Sequence, residues 1–189
     1  MTASLPQARH RYTYEEYLSF ERDSVTKHEF VAGEIYAMAG GSARHSALAS
    51  RIGAALENAR PPGCTAFQSD MRLRVLATGR AAYPDASMVC GSIELDPADV
   101  SRTTITNPSV IVEVLSRSTE DVDRTDKWRD YQRIPSLQEY VLVSQHPRIE
   151  IYHRLPSGTW EYRDVDEGVV TLASGATFDL DKLYANLPA

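Results

Sequence analysis

Two acidic side chains stand in runs that otherwise read as buried β-strand. Asp85 follows Tyr83-Pro84 and leads into Ala86-Ser87-Met88-Val89-Cys90, and Glu113 interrupts Val110-Ile111-Val112-Glu113-Val114-Leu115. A carboxylate in so apolar a setting is strongly penalised unless a partner compensates its charge. A hard divalent cation, Mg²⁺ or Mn²⁺, takes oxygen ligands and suits two carboxylates delivered from neighbouring strands. Such a cation can activate water and stabilise charge on a phosphodiester oxygen, and a nearby ammonium would add to that stabilisation. The structural alternative is that Asp85 ends a turn and Glu113 meets an arginine. The residue types alone leave both readings open.

The flanking sequence says what must position these acids. Thr13-Tyr14-Glu15-Glu16 has capping-box spacing and starts a helix running to about Arg22. His28–Val31 and Glu34–Met38 read as a hairpin with Gly33 at positive φ. After Gly40-Gly41, Ser42 caps a helix whose Leu48, Ile52, Ala55, Leu56 and Ala59 make one apolar face. Strand-like runs follow at 65–69 and 71–76, the second alternating Met71, Leu73 and Val75 with Arg72 and Arg74. A polar loop spans 91–107 and the Glu113 strand comes next, apolar on both faces as in a covered sheet. Ser118-Thr119-Glu120-Asp121 opens a helix with Asp123, Lys127 and Tyr131 four apart on one face, ending near Ile134-Pro135. A strand at 139–143, a hairpin over 149–154 and 159–165, a strand at 169–172 and a short helix at 180–184 close the chain. The order predicts an α/β (α+β) layered fold on a mixed sheet.

Bulk properties narrow the classes. With 189 residues, 42% hydrophobic and 24% charged, the chain is expected to form one soluble domain. No run is long enough for a membrane span, and the N-terminal MTASLPQARHRYTYEE lacks a leader-like apolar stretch, so a cytoplasmic location is expected. A net charge of −6 argues against non-specific coating of nucleic acid, though not against a local basic groove. Neither a P-loop nor a G-x-G-x-x-G segment is present, so no nucleotide cofactor is expected. Cys64 and Cys90 stand far apart, and free thiols are expected ahead of a single disulfide. Among the basic residues 17 are Arg and only three, Lys27, Lys127 and Lys182, are Lys. Those lysines deserve scrutiny for tasks that need a compact ammonium.

Several segments, in order, resemble the Uma-two family of restriction-endonuclease-like proteins within the PD-(D/E)xK nuclease superfamily. They are Tyr14–Tyr17, Lys27–Tyr36, His45, Tyr83-Pro84-Asp85, Ile111–Thr119, Asp126-Lys127 to Tyr131, and Glu139–Val143. The resemblance implies a restriction-endonuclease-like core over about 42–143, with a mixed central β-sheet flanked by helices. A helix and hairpin at 13–38 precede it, and a β-rich extension at 149–184 follows. It implies that Asp85 and Glu113 bind Mg²⁺ or Mn²⁺ and that Glu29 is an additional acid near the site. Leu115 stands where the superfamily motif has lysine. Members of this family lack lysine there too, which makes Lys127, from the following helix, the candidate catalytic ammonium.

Other residues carry weaker expectations. Lys27 shares a strand face with Glu29 and competes with a surface role; His45 could meet a phosphate, a bound water or only its helix cap. Gln68 and Asp70, between two strands, are expected to support the site or a turn. Arg72 and Arg74 could contact a nucleic-acid backbone from a wet strand face, against the commoner reading of a solvated surface. Tyr131 is expected to pack, and Trp128 and Trp160 to lie in a core or interface. The expected function is Mg²⁺-dependent endonucleolytic hydrolysis of DNA, with DNA as partner. A homodimer is expected, because two-fold assembly suits a symmetric duplex, with Ile149, Ile151 and Trp160 in its contact or in the core. The rival class is a nuclease-fold nucleic-acid-binding or regulatory protein with weak catalysis, and hydrolysis of RNA or another phosphoester is a third possibility.

Overall fold

A computed structural model describes residues 10–188; the leader reading falls mostly on residues 1–9, outside that range. Thr13 caps α1 (Tyr14–Asp23) through the full reciprocal box with Glu16. The hairpin forms from β1 (His28–Val31) and β2 (Glu34–Ala37), turning through Ala32 and Gly33 at φ of 50 and 85°. Glycine takes that left-handed backbone without steric cost.

Ser42 Oγ accepts the His45 N–H and starts α2 (Ala43–Ala59). Its Leu48, Ile52 and Leu56 are buried against one face of a six-stranded sheet. That sheet contains β3 (Cys64–Gln68), β6 (Ala86–Cys90), β8 (Val110–Val114), β9 (Glu139–Val143), β10 (Ile149–Arg154) and β11 (Trp160–Val165), ordered β11-β10-β9-β8-β6-β3. The β8–β9 pair is parallel and the others are antiparallel. Along β8, Val110, Val112 and Val114 meet α2's side, whereas Ile111 and Leu115 join Tyr131, Leu137 and Tyr140 on the other face. Glu113 therefore occupies a position where the alternation calls for an apolar residue facing the helix behind the sheet.

That helix is not regular. A short α3 (Glu120–Val122) passes through a π-helical turn (Asp123–Lys127) into α4 (Trp128–Tyr131). Such widened turns occur mostly as single bulges, often at functional sites. Here Tyr140 Oη donates to the Asp123 carbonyl inside the turn at 3.0 Å.

A second sheet, β2-β1-β5-β4-β7, is built on β4 (Arg72–Arg74), β5 (Ala81–Ala82) and β7 (Thr104–Ile105). The two-residue strands β5 and β7 were not legible in the sequence, and this sheet corrects one expectation. Arg72 does not face solvent; it is 4% exposed and spans to Asp99 of the polar loop. Arg74 lies 3.2 Å from the Tyr14 ring centroid. Both guanidiniums are thus spent on internal partners rather than displayed on a wet face.

The cysteines are a second correction. Cys64 and Cys90 are direct register partners on β3 and β6 and form a disulfide. Sequence separation concealed a cross-strand pair. Ile149 and Ile151 are fully buried and belong to the core, while Trp160 and Trp128 join an aromatic cluster with Tyr152. The chain closes with β12 (Val169–Thr171), β13 (Thr177–Asp179) and α5 (Leu180–Tyr184). No helix among the described residues is long and apolar enough to cross a membrane.

Candidate active site

The β6–β8 ladder pairs Ala86 with Val112. One step further along the same register, Asp85 stands across from Glu113, so the two acids share one end of neighbouring strands. Where β6 has not yet begun, Asp85 Oδ2 accepts the Val114 N–H at 2.7 Å. His45 Nε2, from the first turn of α2, approaches the same oxygen at 3.3 Å.

Lys127 closes the other side. Its Nζ lies 3.0 Å from Glu113 Oε1, 3.0 Å from Asp123 Oδ1 and 3.2 Å from Glu29 Oε1. Tyr131 Oη donates to the same Glu113 oxygen at 3.1 Å. Behind Glu29, the buried Arg80 guanidinium stands 3.7 Å from Glu29 Oε2 and holds Asp130 at 2.6 Å. Three elements thus converge: β1 supplies Glu29, β8 supplies Glu113, and the π turn supplies Asp123 and Lys127.

The electrostatics follow from burial and crowding. Burial drives the Glu113 carboxyl up; Lys127 opposes this, while Asp123, Asp85 and Glu29 add to it, and the net effect raises it to about 8. Burial would lower the Lys127 ammonium, but Glu113, Tyr131, Glu29 and Asp123 outweigh it and hold it well above its ordinary value. The ammonium therefore stays charged. His45 is held above its usual value chiefly by its hydrogen bond to Asp85, against burial.

The donor chemistry is compatible with a hard cation. Glu113 Oε2 and Asp85 Oδ1 make no hydrogen bond among the described residues, whereas Oε1 and Oδ2 are committed. No group of three or more His, Cys, Asp or Glu side chains among the described residues is placed to hold a metal alone. Mg²⁺ commonly binds through one or two carboxylates while keeping waters and taking substrate phosphate oxygens. The acid pair fits that mode and not a closed protein cage.

The structure joins Glu29, Glu113 and Lys127 in one ion-pair network, and sets Asp85 with His45 across the strand pair from Glu113. Lys27 lies apart from it, bonded to the Ser69 carbonyl at 2.8 Å and to Asp70 at 2.6 Å. Gln68 is exposed at the end of β3. Sequence reasoning passed over Asp123, Arg80 and Asp130, and it treated Tyr131 as packing alone. The i, i+4 spacing of Asp123 and Lys127 was a usable signal, but nothing in the turn around Arg80 announced a buried guanidinium.

A profile of the Uma2 family, described as "Putative restriction endonuclease", matches residues 14–183. The chain belongs to that family. Among curated proteins, the uncharacterized Synechocystis protein slr1290 is 38% identical over 179 residues, covering 92% of this chain and 91% of its own length. A second Synechocystis protein, sll1609, also uncharacterized, is 36% identical over 150 residues, covering 78% of this chain and 84% of its own. A crystal structure titled a "putative nuclease belonging to DUF820", from Anabaena variabilis, superposes with a TM-score of 0.72 at 19% identity, over 92% of this chain and 97% of that one. At that identity the superposition speaks for the fold: a nuclease fold with mixed sheets flanked by helices. Uma2 membership supports a nuclease.

Proposed function

We propose that the chain is a Mg²⁺- or Mn²⁺-dependent endonuclease hydrolysing phosphodiester bonds of DNA, working as a single restriction-endonuclease-like domain. The observation that carries this reading is the Lys127 ammonium held between Glu113, Asp123 and Glu29, beside an acid pair on neighbouring strands. Asp85 and Glu113 would hold the cation through their uncommitted oxygens. When bound, the cation would activate the attacking water and share charge with the phosphodiester oxygen.

The protein side chains do the rest. Lys127, permanently charged, places positive charge beside the reacting group and stabilises charge developing on phosphorus oxygens. Its three carboxylate contacts fix where that charge sits. Glu29, backed by Arg80, supports the ammonium from the β1 side. Tyr131 holds Glu113 Oε1, leaving Oε2 for ligation. A two-fold pair of chains would present such a site to each strand of a duplex.

A second reading has one observation in its favour: Lys127 and Tyr131 already occupy Glu113 Oε1, and the described residues form no three-donor metal set. On that reading the chain binds nucleic acid with little turnover. Plasmid and oligonucleotide cleavage with Mg²⁺ or Mn²⁺, comparing wild type with Asp85→Ala, Glu113→Ala and Lys127→Met, separates the two. Metal-dependent cleavage lost in all three folded variants supports the nuclease. DNA binding without cleavage in wild type, unchanged by Asp85→Ala, favours the binding protein. Cleavage of RNA in place of DNA would keep the chemistry and change the substrate.

A further inference from the structure

Asp85 Oδ2 is met from two sides. The Val114 N–H comes from β8 at 2.7 Å, and His45 Nε2 comes from α2 at 3.3 Å, both to Oδ2. Contacts from two separate elements meet Oδ2, and the other oxygen, Oδ1, is left without a hydrogen bond among the described residues. The backbone that carries the imidazole is fixed. His45 sits on the first turn of α2, where its own N–H is capped by Ser42 Oγ at 3.2 Å.

The other side of the ring explains an otherwise unassigned glycine. A Cβ on Gly41 would stand 2.6 Å from His45 Nδ1 and 3.0 Å from Cγ, closer than real contacts allow. Gly41 is not among the glycines at positive φ, so backbone conformation does not demand it. What the position requires is the absence of a side chain where the imidazole lies. The adjacent Gly40 meets nothing within 4 Å, so close approach is specific to Gly41.

We propose that His45 is a positioning residue for Asp85, gripping Oδ2 so that Oδ1 remains the ligating oxygen, and that Gly41 stays bare to seat the imidazole. The proposal rests on the reading of Asp85 as a metal carboxylate. Partners that orient a metal-binding side chain typically contribute roughly 10–100-fold in affinity or activity. Glutamine at position 45 can still offer an amide N–H to Asp85; alanine cannot.

The test combines Mn²⁺ titration calorimetry and single-turnover DNA cleavage for wild type, His45→Ala, His45→Gln, Gly41→Ala and the Gly41→Ala/His45→Ala pair, with Asp85→Ala as reference. His45→Ala should weaken Mn²⁺ binding and lower kcat by roughly 10–100-fold with little change in KM for DNA, and His45→Gln should recover most of the loss. Gly41→Ala should resemble His45→Ala and add nothing to it in the pair, because both act through one ring. In metal-free protein, Asp85→Asn should move the ¹H–¹⁵N resonances of the His45 ring. Should His45→Ala keep wild-type affinity and kcat while Asp85→Ala loses both, the positioning role is overturned and the active site stands. An Asp85→Ala protein that binds Mn²⁺ and cleaves like wild type would instead overturn the site reading and this proposal with it. Additive losses in the pair would overturn the role given to Gly41, and an unmoved His45 resonance would overturn the contact itself.

Discussion

Two buried charge clusters lie in this molecule, and they are built on opposite plans. Around Arg72, every donor has a partner: Nε reaches Thr104 at 2.8 Å, Nη1 Tyr83 at 3.1 Å and Nη2 Asp99 at 2.9 Å. Asp99 in turn accepts from Ser101, Thr103 and Thr104 as well. One cation meets one anion, and the remaining capacity is filled by hydroxyls and amides. Around Lys127, one ammonium faces three carboxylates, with Asp85 beyond them. Asp123 Oδ1, 3.0 Å from Nζ, is buried without a hydrogen bond. Both clusters are largely buried, but only the second carries negative charge in excess. A saturated pair holds two segments together; an unsaturated one is the kind of setting in which perturbed, functional groups gather.

The largest effect should come from removing that excess where catalysis needs it. Asp85→Asn and Glu113→Gln should each reduce single-turnover DNA cleavage by about a hundredfold or more, a loss of the size seen when a charge-stabilising group is removed from a site. Arg72→Met, by contrast, should leave the cleavage machinery's residues intact and strip Asp99 of its charge partner. Breaking a buried pair from one side costs about 3–5 kcal/mol, which denaturant titration would read directly. An Arg72→Met protein as stable as wild type would erase the distinction between the clusters.

The same contrast predicts opposite pH behaviour. Glu113 is raised from 4.5 to about 8, so the folded state holds its proton more tightly than the unfolded chain does. Its contribution to stability is fully present below about pH 4.5 and is lost as pH rises towards 8. Glu113→Gln removes that loss, so between pH 4.5 and pH 8 its Tm should fall less than that of wild type. Asp99 shifts the other way: burial pushes it up, but hydrogen bonds from Ser101 and Thr104, the Arg72 charge and the Thr103 hydroxyl prevail and hold it well below 3.8. Its stabilisation is present above pH 3.8 and is lost as pH falls through the lowered value. Asp99→Asn should flatten the acid limb of the wild-type stability profile, the smallest of these effects.

Much of this was legible in the sequence where local chemistry speaks. The box at Thr13 and Glu16, the cap at Ser42, the turn at Gly33 and the alternation along Val110–Val114 depend on neighbours a few residues away, and each forms as read. The acids at 85 and 113 stood out because they break an apolar pattern, and Lys127 stood out as a rare lysine whose catalytic role came from the family resemblance. The illegible part is what distant segments bring together. Arg80 meets Asp130 across 50 residues, Arg72 meets Asp99 across a loop that looked merely polar, and Cys64 meets Cys90 by strand register. No local pattern encodes such a meeting; it exists only once two sheets have been placed.

The widened turn at Asp123–Lys127 sets the phase of the helix that follows. A regular α-helix advances about 100° per residue, so one residue more or fewer before Lys127 would swing the following side chains by roughly that angle about the axis. Winding Asp123–Lys127 regularly with every residue kept would add about one residue's worth of rotation by its end. Asp126 would then come towards the place of Lys127, taking the ammonium off Glu113 while the chain keeps every charged residue it had. The turn acts as a rotational shim: the protein's composition would survive its loss, but its alignment would not.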